Sequence, residues 1–182
     1  MLNEKVICAG FGGQGVMSMG QLLTYAGMLE GKQVSWLPSY GPEMRGGTAN
    51  CNVMISENPI GSPVITNDAT AAIVMNLPSL DKFEANVAPG GMVIVNSSLI
   101  PKQVSRTDVK AYYVPANDIA GELGNLKAAN MVILGAYLAL ANPVAVESII
   151  EALKKVFGAS KAHLIPMNEE ALKRGAAAVR QS

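Results

Sequence analysis

A glycine turn between an apolar strand and an apolar helix constrains this chain more than any other stretch. Residues 4 to 9 are typical of a buried strand, and the helical apolar pattern of Val16 to Glu30 is followed by Gly31. A second strand at Gln33 to Leu37 completes a β-α-β unit, which predicts an α/β fold with a parallel sheet. The turn between the first strand and the helix contains Gly10, Gly12, Gly13, Gln14 and Gly15.

The glycines at 10, 12 and 15 match the pattern G-x-G-x-x-G, whose backbone N–H groups can contact a phosphate. A dinucleotide site also requires an acidic residue at the end of the second strand, to hold the ribose hydroxyls. Residues 37 to 39 are leucine, proline and serine, and Glu30 lies too early, at the helix end. We therefore prefer tight turning and close helix–strand packing as the reason for these glycines. The alternative is a stand-alone nucleotide- or flavin-binding module that uses the turn.

The rest of the chain predicts more strands and then a helical C-terminal part. The further predicted strands are Thr48 to Ser56, Met92 to Ser98 and Lys110 to Val114, with a turn at Pro89 to Gly91. The predicted late helices are Ile119 to Leu123, Ala128 to Leu140, Pro143 to Phe157 and Glu169 to Arg180. His163 falls between the last two, on a short strand or connector. We predict one Rossmann-like, three-layer α/β domain over residues 1 to 182, with a mostly parallel sheet.

Polar residues inside this pattern are second-rank site candidates. Asn96, Ser97 and Ser98 end a predicted strand, and ligands of open α/β sheets gather at the carboxyl ends of strands. Ordinary capping of the strand end is the preferred interpretation. Asn130 lies in an almost wholly apolar helix, where an unpaired amide would cost about 1–3 kcal/mol. We expect it to fix a neighbouring loop rather than contact a ligand.

Composition excludes several classes of function. Fourteen basic and fourteen acidic residues balance, so nothing favours binding to nucleic acid or to an anionic membrane. Cys8 and Cys51 are too few for an iron–sulfur cluster or a multi-cysteine zinc site, and we expect two buried free thiols. With His163 as the sole histidine, no metal site is expected. No signal peptide and no membrane span is predicted, so a cytoplasmic protein is expected.

The segment from Ser39 to Gly47, S-Y-G-P-E-M-R-G-G, carries more glycine and charge than a simple turn needs. One interpretation is a solvated loop, and the other is a loop shaped to lie against a partner or ligand. An arginine suits bidentate contact with a carboxylate, a tyrosine suits a partly wet interface, and glycine permits close backbone approach. The candidate residues are Tyr40, Gly41, Pro42, Glu43, Arg45, Gly46 and Gly47.

Three segments together resemble a known family: residues 10–15 (G-F-G-G-Q-G), residues 39–47 and the apolar stretch at 126–135. The chain is similar over nearly its whole length to the gamma subunit of the 2-oxoacid:ferredoxin oxidoreductases, the pyruvate/ketoisovalerate oxidoreductase gamma domain family. The resemblance implies a complex that oxidatively decarboxylates a 2-oxoacid, forms the acyl-coenzyme A and passes electrons to ferredoxin or another acceptor. Phe11 resembles the 2-oxoglutarate enzymes, which form succinyl-CoA, more than the pyruvate enzymes, where arginine is expected.

The resemblance also implies partners and cofactors. The partners are catalytic alpha and beta subunits and a ferredoxin-like delta subunit. Thiamine diphosphate, Mg²⁺, an iron–sulfur cluster and coenzyme A are expected in the complex, and none is expected to be bound by this chain alone. The chain would then be an accessory subunit, inactive in isolation and without a catalytic residue of its own. Residues 40–47 would lie at a shared interface or substrate site, on the same face as the glycine turn.

Overall fold

The computed structural model describes residues 1–40 and 48–180 and places six strands of these ranges in one mixed sheet. The strands are β1 (Asn3–Phe11), β2 (Gln33–Tyr40), β3 (Thr48–Ser56), β4 (Ala69–Val74), β5 (Val87–Asn96) and β6 (Lys110–Val114). Their spatial order is β2-β3-β1-β4-β5-β6. Strands β1, β4, β5 and β6 are parallel, whereas β3 is antiparallel to both of its neighbours. The predicted α/β fold with a mostly parallel sheet is confirmed.

The simple β-α-β unit predicted at the start is wrong in one respect, because β3 lies between β1 and β2. Cys51 in β3 is opposite Cys8 in β1 and opposite Pro38 in β2. An antiparallel strand can return through a short connection, so β2 and β3 pair as neighbours in the chain. The more buried β3 takes the inner position. Strand β2 also continues to Tyr40, so residues 37–39 lie within the strand rather than after it.

The predicted turn at Pro89 to Gly91 is also wrong, because these residues lie inside β5. The register of β5 against β4 shifts between Ala69 and Ala71, which makes room for an irregular segment. Gly90 has a φ of 81°, and its N–H donates to the carbonyl of Asp108 at 2.7 Å. Glycine therefore bends the strand without ending it. The strand ends at Asn96, so Ser97 and Ser98 follow it.

Six helices of the described residues cover the two faces of the sheet. They are α1 (Val16–Leu29), α2 (Leu77–Phe83), α3 (Ala116–Glu122), α4 (Ala129–Ala141), α5 (Val146–Phe157) and α6 (Ile165–Arg180). The larger core contains α1, α4, α5 and α6 residues, and the smaller core on the other face contains α2. The predicted helical C-terminal part is confirmed. His163 lies in a 3₁₀ turn over Ala159–Leu164, which makes that segment a connector rather than a strand.

Helices α4 and α6 approach each other through two glycines. A Cβ atom on Gly135 of α4 would lie 2.0 Å from the carbonyl oxygen of Leu172 in α6. A Cβ atom on Gly175 of α6 would lie 1.7 Å from the carbonyl oxygen of Val132 in α4. No side chain fits in these spaces, so the contact exists only because both positions are glycine. Helix α4 is correspondingly buried on all sides from Ala129 to Leu138.

Cys8 and Cys51 are buried free thiols, as predicted. They face each other across β1 and β3. The hydrogen bond between the two sulfurs, together with burial, raises the pKa of Cys8. The same hydrogen bond lowers the pKa of Cys51.

Glu84 is a buried carboxylate that fixes the connection between β5 and β6. Its Oε1 accepts hydrogen bonds from the N–H of Ser105 at 2.6 Å, the hydroxyl of Ser105 at 2.8 Å and the N–H of Arg106 at 2.9 Å. Burial alone would raise the pKa of Glu84, but these hydrogen bonds outweigh burial and lower it.

We expect Glu84→Gln to lower the free energy of unfolding by about 1–3 kcal/mol at neutral pH, because it loses charge-assisted hydrogen bonds. A carboxylate with a lowered folded pKa stabilises the protein above its unfolded pKa of about 4.3 and loses this effect as the pH falls through the folded pKa. Urea unfolding should therefore show the gap between wild type and variant narrowing below about pH 4. Asp81→Asn, which removes an exposed ion pair with Lys102, should have little effect. If the difference in unfolding free energy between wild type and Glu84→Gln did not change with pH, this role of Glu84 would be contradicted.

Candidate functional site

Four amide side chains meet at one edge of the sheet, and we call them the amide cluster: Gln14, Asn76, Asn96 and Asn117. They lie at or just after the carboxyl ends of β1, β4, β5 and β6, respectively. These four strands are parallel, so their carboxyl ends share an edge, which is where open α/β sheets bind ligands.

Hydrogen bonds connect the amide cluster through the carbonyl of Met75. Gln14 Nε2 donates to this oxygen at 3.3 Å, and Asn96 Nδ2 donates to it at 3.4 Å. Asn96 Nδ2 also donates to Asn117 Oδ1 at 2.8 Å, while Asn76 Nδ2 lies 3.5 Å from Gln14 Oε1. Asn76 further accepts from the N–H of Ser79 at 2.9 Å and so caps α2. The cluster therefore joins the glycine turn to the ends of β4 and β5 and to α3.

The side-chain oxygen of Asn96 is the unusual atom of this cluster. Asn96 is fully buried, and its Oδ1 accepts no hydrogen bond within the part of the chain that the structure describes. Leaving a buried acceptor unpaired costs about 1–3 kcal/mol. A water molecule or a donor group brought to this oxygen would therefore be stabilised.

Hydrogen bonds of Gln14 and Asn130 fix the conformation of the glycine turn. Gln14 Oε1 accepts from the N–H of Phe11 at 2.7 Å, and a Cβ atom on Gly10 would lie 2.7 Å from that same oxygen. Gly13 and Gly15 have φ angles of 91° and 76°, which favour glycine. Asn130 Nδ2 donates to the carbonyl of Gly15 at 3.2 Å, which is the hydrogen bond expected for this buried amide. These contacts support the packing interpretation of the glycines.

Two open cavities lie beside the turn. The smaller, of about 200 Å³, is bordered by Gly13, Gln14 and Asn117, and the larger, of about 380 Å³, by Gly15 and Asn130. Lys127 borders both of them. Among the described residues that line them, there is no carboxylate, histidine or thiol. The arrangement can therefore bind and orient polar groups through its amide, hydroxyl and ammonium groups.

The structure places the remaining candidates as follows. The N–H of Ser97 donates to the carbonyl of Val114 at 2.9 Å, and the hydroxyl of Ser98 donates to Asp118 at 3.0 Å. Tyr40 is the last residue of β2. The other candidates of that segment lie outside the described residues: Gly41, Pro42, Glu43, Arg45, Gly46 and Gly47.

The strands that flank this segment end at the same edge as the glycine turn. Thr48, the first residue of β3, is opposite Phe11, and Tyr40 is opposite Ala49. Strand β2 therefore ends, and β3 begins, at the edge where the glycine turn lies, while the placement of the segment between them stays a prediction. The strand order differs from the predicted one, because β3 lies between β1 and β2.

Sequence reasoning missed both Asn76 and Asn117 as site residues. Asn76 comes just after the apolar strand β4, which is the signal that identified Asn96, whereas Asn117 is separated from β6 by Pro115 and Ala116. Applied at every strand end, that signal would have found Asn76 after β4. It would not have shown that the side chains meet, because strand order decides that.

Residues 1–40 and 48–180 contain no group of three or more histidine, cysteine, aspartate or glutamate side chains placed to hold a metal ion. None of their helices has the length and apolar character needed to cross a membrane.

Comparison with known proteins gives consistent matches. Residues 5–178 match the family model described as pyruvate ferredoxin/flavodoxin oxidoreductase. The ketoisovalerate oxidoreductase subunit VorA of Methanothermobacter thermautotrophicus is 43% identical over 179 residues, covering 98% of this chain and 37% of that protein. The 2-oxoglutarate synthase subunit KorC of Methanocaldococcus jannaschii is 35% identical over 156 residues, covering 84% of this chain and 82% of that protein.

Solved structures show the same fold. The gamma subunit of a keto/oxoacid ferredoxin oxidoreductase from Geobacter sulfurreducens superposes with a TM-score of 0.83 at 25% identity, covering 98% of this chain and 99% of that one. The 2-oxoglutarate:ferredoxin oxidoreductase of Magnetococcus marinus gives a TM-score of 0.89 at 23% identity, covering 100% of this chain and 32% of that one. The chain thus spans about a third of VorA and of the Magnetococcus chain, and most of KorC.

Proposed function

This chain belongs to the pyruvate ferredoxin/flavodoxin oxidoreductase family, and we propose that it is the gamma component of a 2-oxoacid:acceptor oxidoreductase. The complex would convert a 2-oxoacid and coenzyme A to the acyl-coenzyme A, CO₂ and a reduced acceptor such as ferredoxin. The observation that carries the proposal is the extent of the match, which includes residues 5–178. KorC, a relative named as a subunit of 2-oxoglutarate synthase, is matched over 82% of its own length.

We propose that the chemistry of this complex takes place on other subunits. An iron–sulfur cluster needs four thiolates, and this chain has two cysteines, which are buried and contact each other. The amide cluster holds no carboxylate for the Mg²⁺ that accompanies a diphosphate. The described residues therefore do not fit these groups or thiamine diphosphate. They would be held by alpha and beta subunits and a ferredoxin-like delta subunit, in the cytoplasm.

The role proposed for this chain is to complete a shared site or interface at the edge of the amide cluster. The open cavity bordered by Gly13, Gln14 and Asn117 supports this role, because its amide groups can hydrogen-bond to a polar group of a partner or substrate. Strand β2 ends and strand β3 begins at the same edge. We propose that Arg45 pairs with a carboxylate of the substrate or of a partner, and that Tyr40 and Glu43 contribute to the same contact.

Two 2-oxoacids are the candidate substrates. Phe11 favours 2-oxoglutarate through the family resemblance, and KorC, at 35% identity, is named for the same acid. VorA, at 43% identity, is named for ketoisovalerate, which makes the branched-chain acid the second candidate.

We expect this chain, tagged and purified from its native cells, to bring with it proteins that contain thiamine diphosphate and iron–sulfur clusters. The complex should reduce a viologen dye only when coenzyme A and a 2-oxoacid are both present. Comparing 2-oxoglutarate, ketoisovalerate and pyruvate would identify the substrate by the highest kcat/KM.

The alternative, a stand-alone nucleotide- or flavin-binding module, is less well supported. The antiparallel β3 occupies the position beside β1 where a dinucleotide-binding sheet places its second parallel strand. Calorimetric titration of the isolated chain with nucleotides and flavins should show no binding at micromolar concentration. Tight binding, together with purification of the chain alone, would overturn the proposed function.

A further inference from the structure

Strand β2 leaves one side of the sheet open. It is the last strand on its side and pairs only with β3 among the described residues. An unpaired edge strand presents a row of N–H and C=O groups on which another strand can form, and proteins usually protect such edges with charged side chains. The eight residues Gln33–Tyr40 include no charged residue. Strand β6, at the opposite edge, begins with the exposed Lys110.

Helix α1 beside this edge is also uncharged. None of its fourteen residues is acidic or basic, although helices that face water usually carry charges on that side. Tyr25 is 44% exposed and Met28 is 56% exposed, and in β2 Leu37 is 38% exposed. A shallow cavity of about 260 Å³ lies between α1 and β2, bordered by Tyr25, Met28 and Trp36. Trp36 packs toward α1, so Leu37 points to the other side of the sheet. We call the exposed surface of α1 together with the open edge of β2, including Leu37, the neutral face.

The charges nearest the neutral face are turned inward. The ammonium of Lys32, which directly precedes β2, lies 2.7 Å from Glu30 and donates to the carbonyl of Pro143 at 2.6 Å. Glu30 in turn accepts from the N–H of Ala145 at 2.7 Å. These contacts fix both charges between α1 and α5, so they do not protect the edge of β2.

We propose that the neutral face is the docking surface for a second copy of this chain, with the two β2 edges paired antiparallel. Two identical strands that pair in this way are related by a two-fold axis, and each satisfies the backbone groups of the other. A face that meets its own copy must not repel itself, and a face without charge meets this condition. The sheet would then continue across the two copies, with Tyr25 and Met28 of both packed above it.

Pro38 limits the register of this pairing. Proline has no N–H to donate, so the open part of the edge is Gln33–Leu37. The middle of that stretch is Ser35, which places the two-fold axis beside Ser35. Leu37 of one copy would then lie opposite Gln33 of the other, and its exposed side chain would be buried.

The proposal concerns the isolated full chain and does not depend on the proposed function. Light scattering after size-exclusion chromatography should give twice the chain mass of 19.0 kDa. Leu37→Lys and Met28→Lys should each halve the measured mass, because each would bury an unpaired ammonium from both copies in the contact. Leu99→Lys is the matched control, since Leu99 is 46% exposed but lies outside the neutral face, and it should remain a dimer. Circular dichroism would confirm that each variant is folded.

Cross-linking tests the register. A Ser35→Cys variant should form a disulfide-linked dimer when a mild oxidant such as a copper–phenanthroline complex removes two electrons and two protons from the paired thiols. Ser39→Cys should not form this dimer, because residue 39 of one copy would lie far from residue 39 of the other. The native Cys8 and Cys51 should not interfere, because both are buried. A monomer at every concentration would overturn the proposal, as would a dimer that both lysine variants leave intact. A monomeric chain whose Leu37→Lys variant no longer joins the oxidoreductase complex would assign the face to a catalytic subunit instead.

Discussion

Gly175→Ala is expected to lower the free energy of unfolding by about 3 kcal/mol or more, at the upper end of what overpacking costs. The added methyl would lie 1.7 Å from the carbonyl oxygen of Val132, and this neighbour is helix backbone rather than a flexible side chain. Helices α4 and α6 would have to move apart, and the core between them would lose its close packing. Since domains are typically stable by about 5–15 kcal/mol, this loss would be a large fraction of the total stability.

Two variants act as controls for this result. Gly135→Ala meets the carbonyl of Leu172 at 2.0 Å and should be destabilised to a similar degree. Gly121→Ala in α3 has its nearest neighbour at 3.7 Å, so it should be neutral or gain up to about 1 kcal/mol from helix propensity. Urea unfolding at one protein concentration would measure all three variants. Equal midpoints for Gly175→Ala and Gly121→Ala would show that the two helices are not in this close contact.

Gly15→Ala is expected to destabilise the protein by about 2–5 kcal/mol, through two separable effects. A left-handed conformation costs an alanine about 1–2 kcal/mol, and Gly15 has a φ of 76°. The new methyl would also lie 2.4 Å from the amide nitrogen of Asn130, which adds an overpacking cost of about 1–3 kcal/mol. Gly13→Ala, at a φ of 91° with nothing within 4 Å, should show the conformational cost alone.

A double-mutant cycle separates the two effects at Gly15. Asn130→Ala should lose the hydrogen bond to the Gly15 carbonyl, worth about 0.5–1.5 kcal/mol, and should free the space that the new methyl needs. The double variant should therefore be more stable than the sum of the single changes predicts, by about 1–3 kcal/mol. Strict additivity would mean that Asn130 does not pack on the turn, and that the conformation alone requires glycine there.

Local patterns predicted the elements but not the neighbours of each strand. The strands at Thr48–Ser56 and Lys110–Val114 begin and end where hydrophobic alternation and turn residues place them. The position of β3 between β1 and β2 has no local signal, because strand order depends on which strand buries more surface. The turn predicted at Gly90 was wrong for a related reason, since a glycine can bend a strand that its neighbours hold in place.

The candidate site was predictable in parts. The glycine turn and Asn96 could be found because both directly follow apolar strands, and Asn130 because an amide in an apolar helix must be paired. Asn76 and Asn117 lie beside the glycine turn and Asn96 because β4, β5 and β6 are parallel neighbours in the sheet, which the sequence does not show. The closeness of Gly135 and Gly175 was equally hidden, because helical periodicity shows that both face inward but not that they touch.

The contact between α4 and α6 also affects the order in which the newly synthesised chain can fold. Helix α4 is apolar on every side, and α6, beginning at Ile165, is made after it. While α6 is still being translated, the surface of α4 around Val132 has no cover and can associate with other apolar surfaces in the cell. The strands and the first helix can form early, but the close packing of the larger core has to wait for the final helix. A ribosome stalled before that helix would therefore carry a nascent chain prone to aggregation.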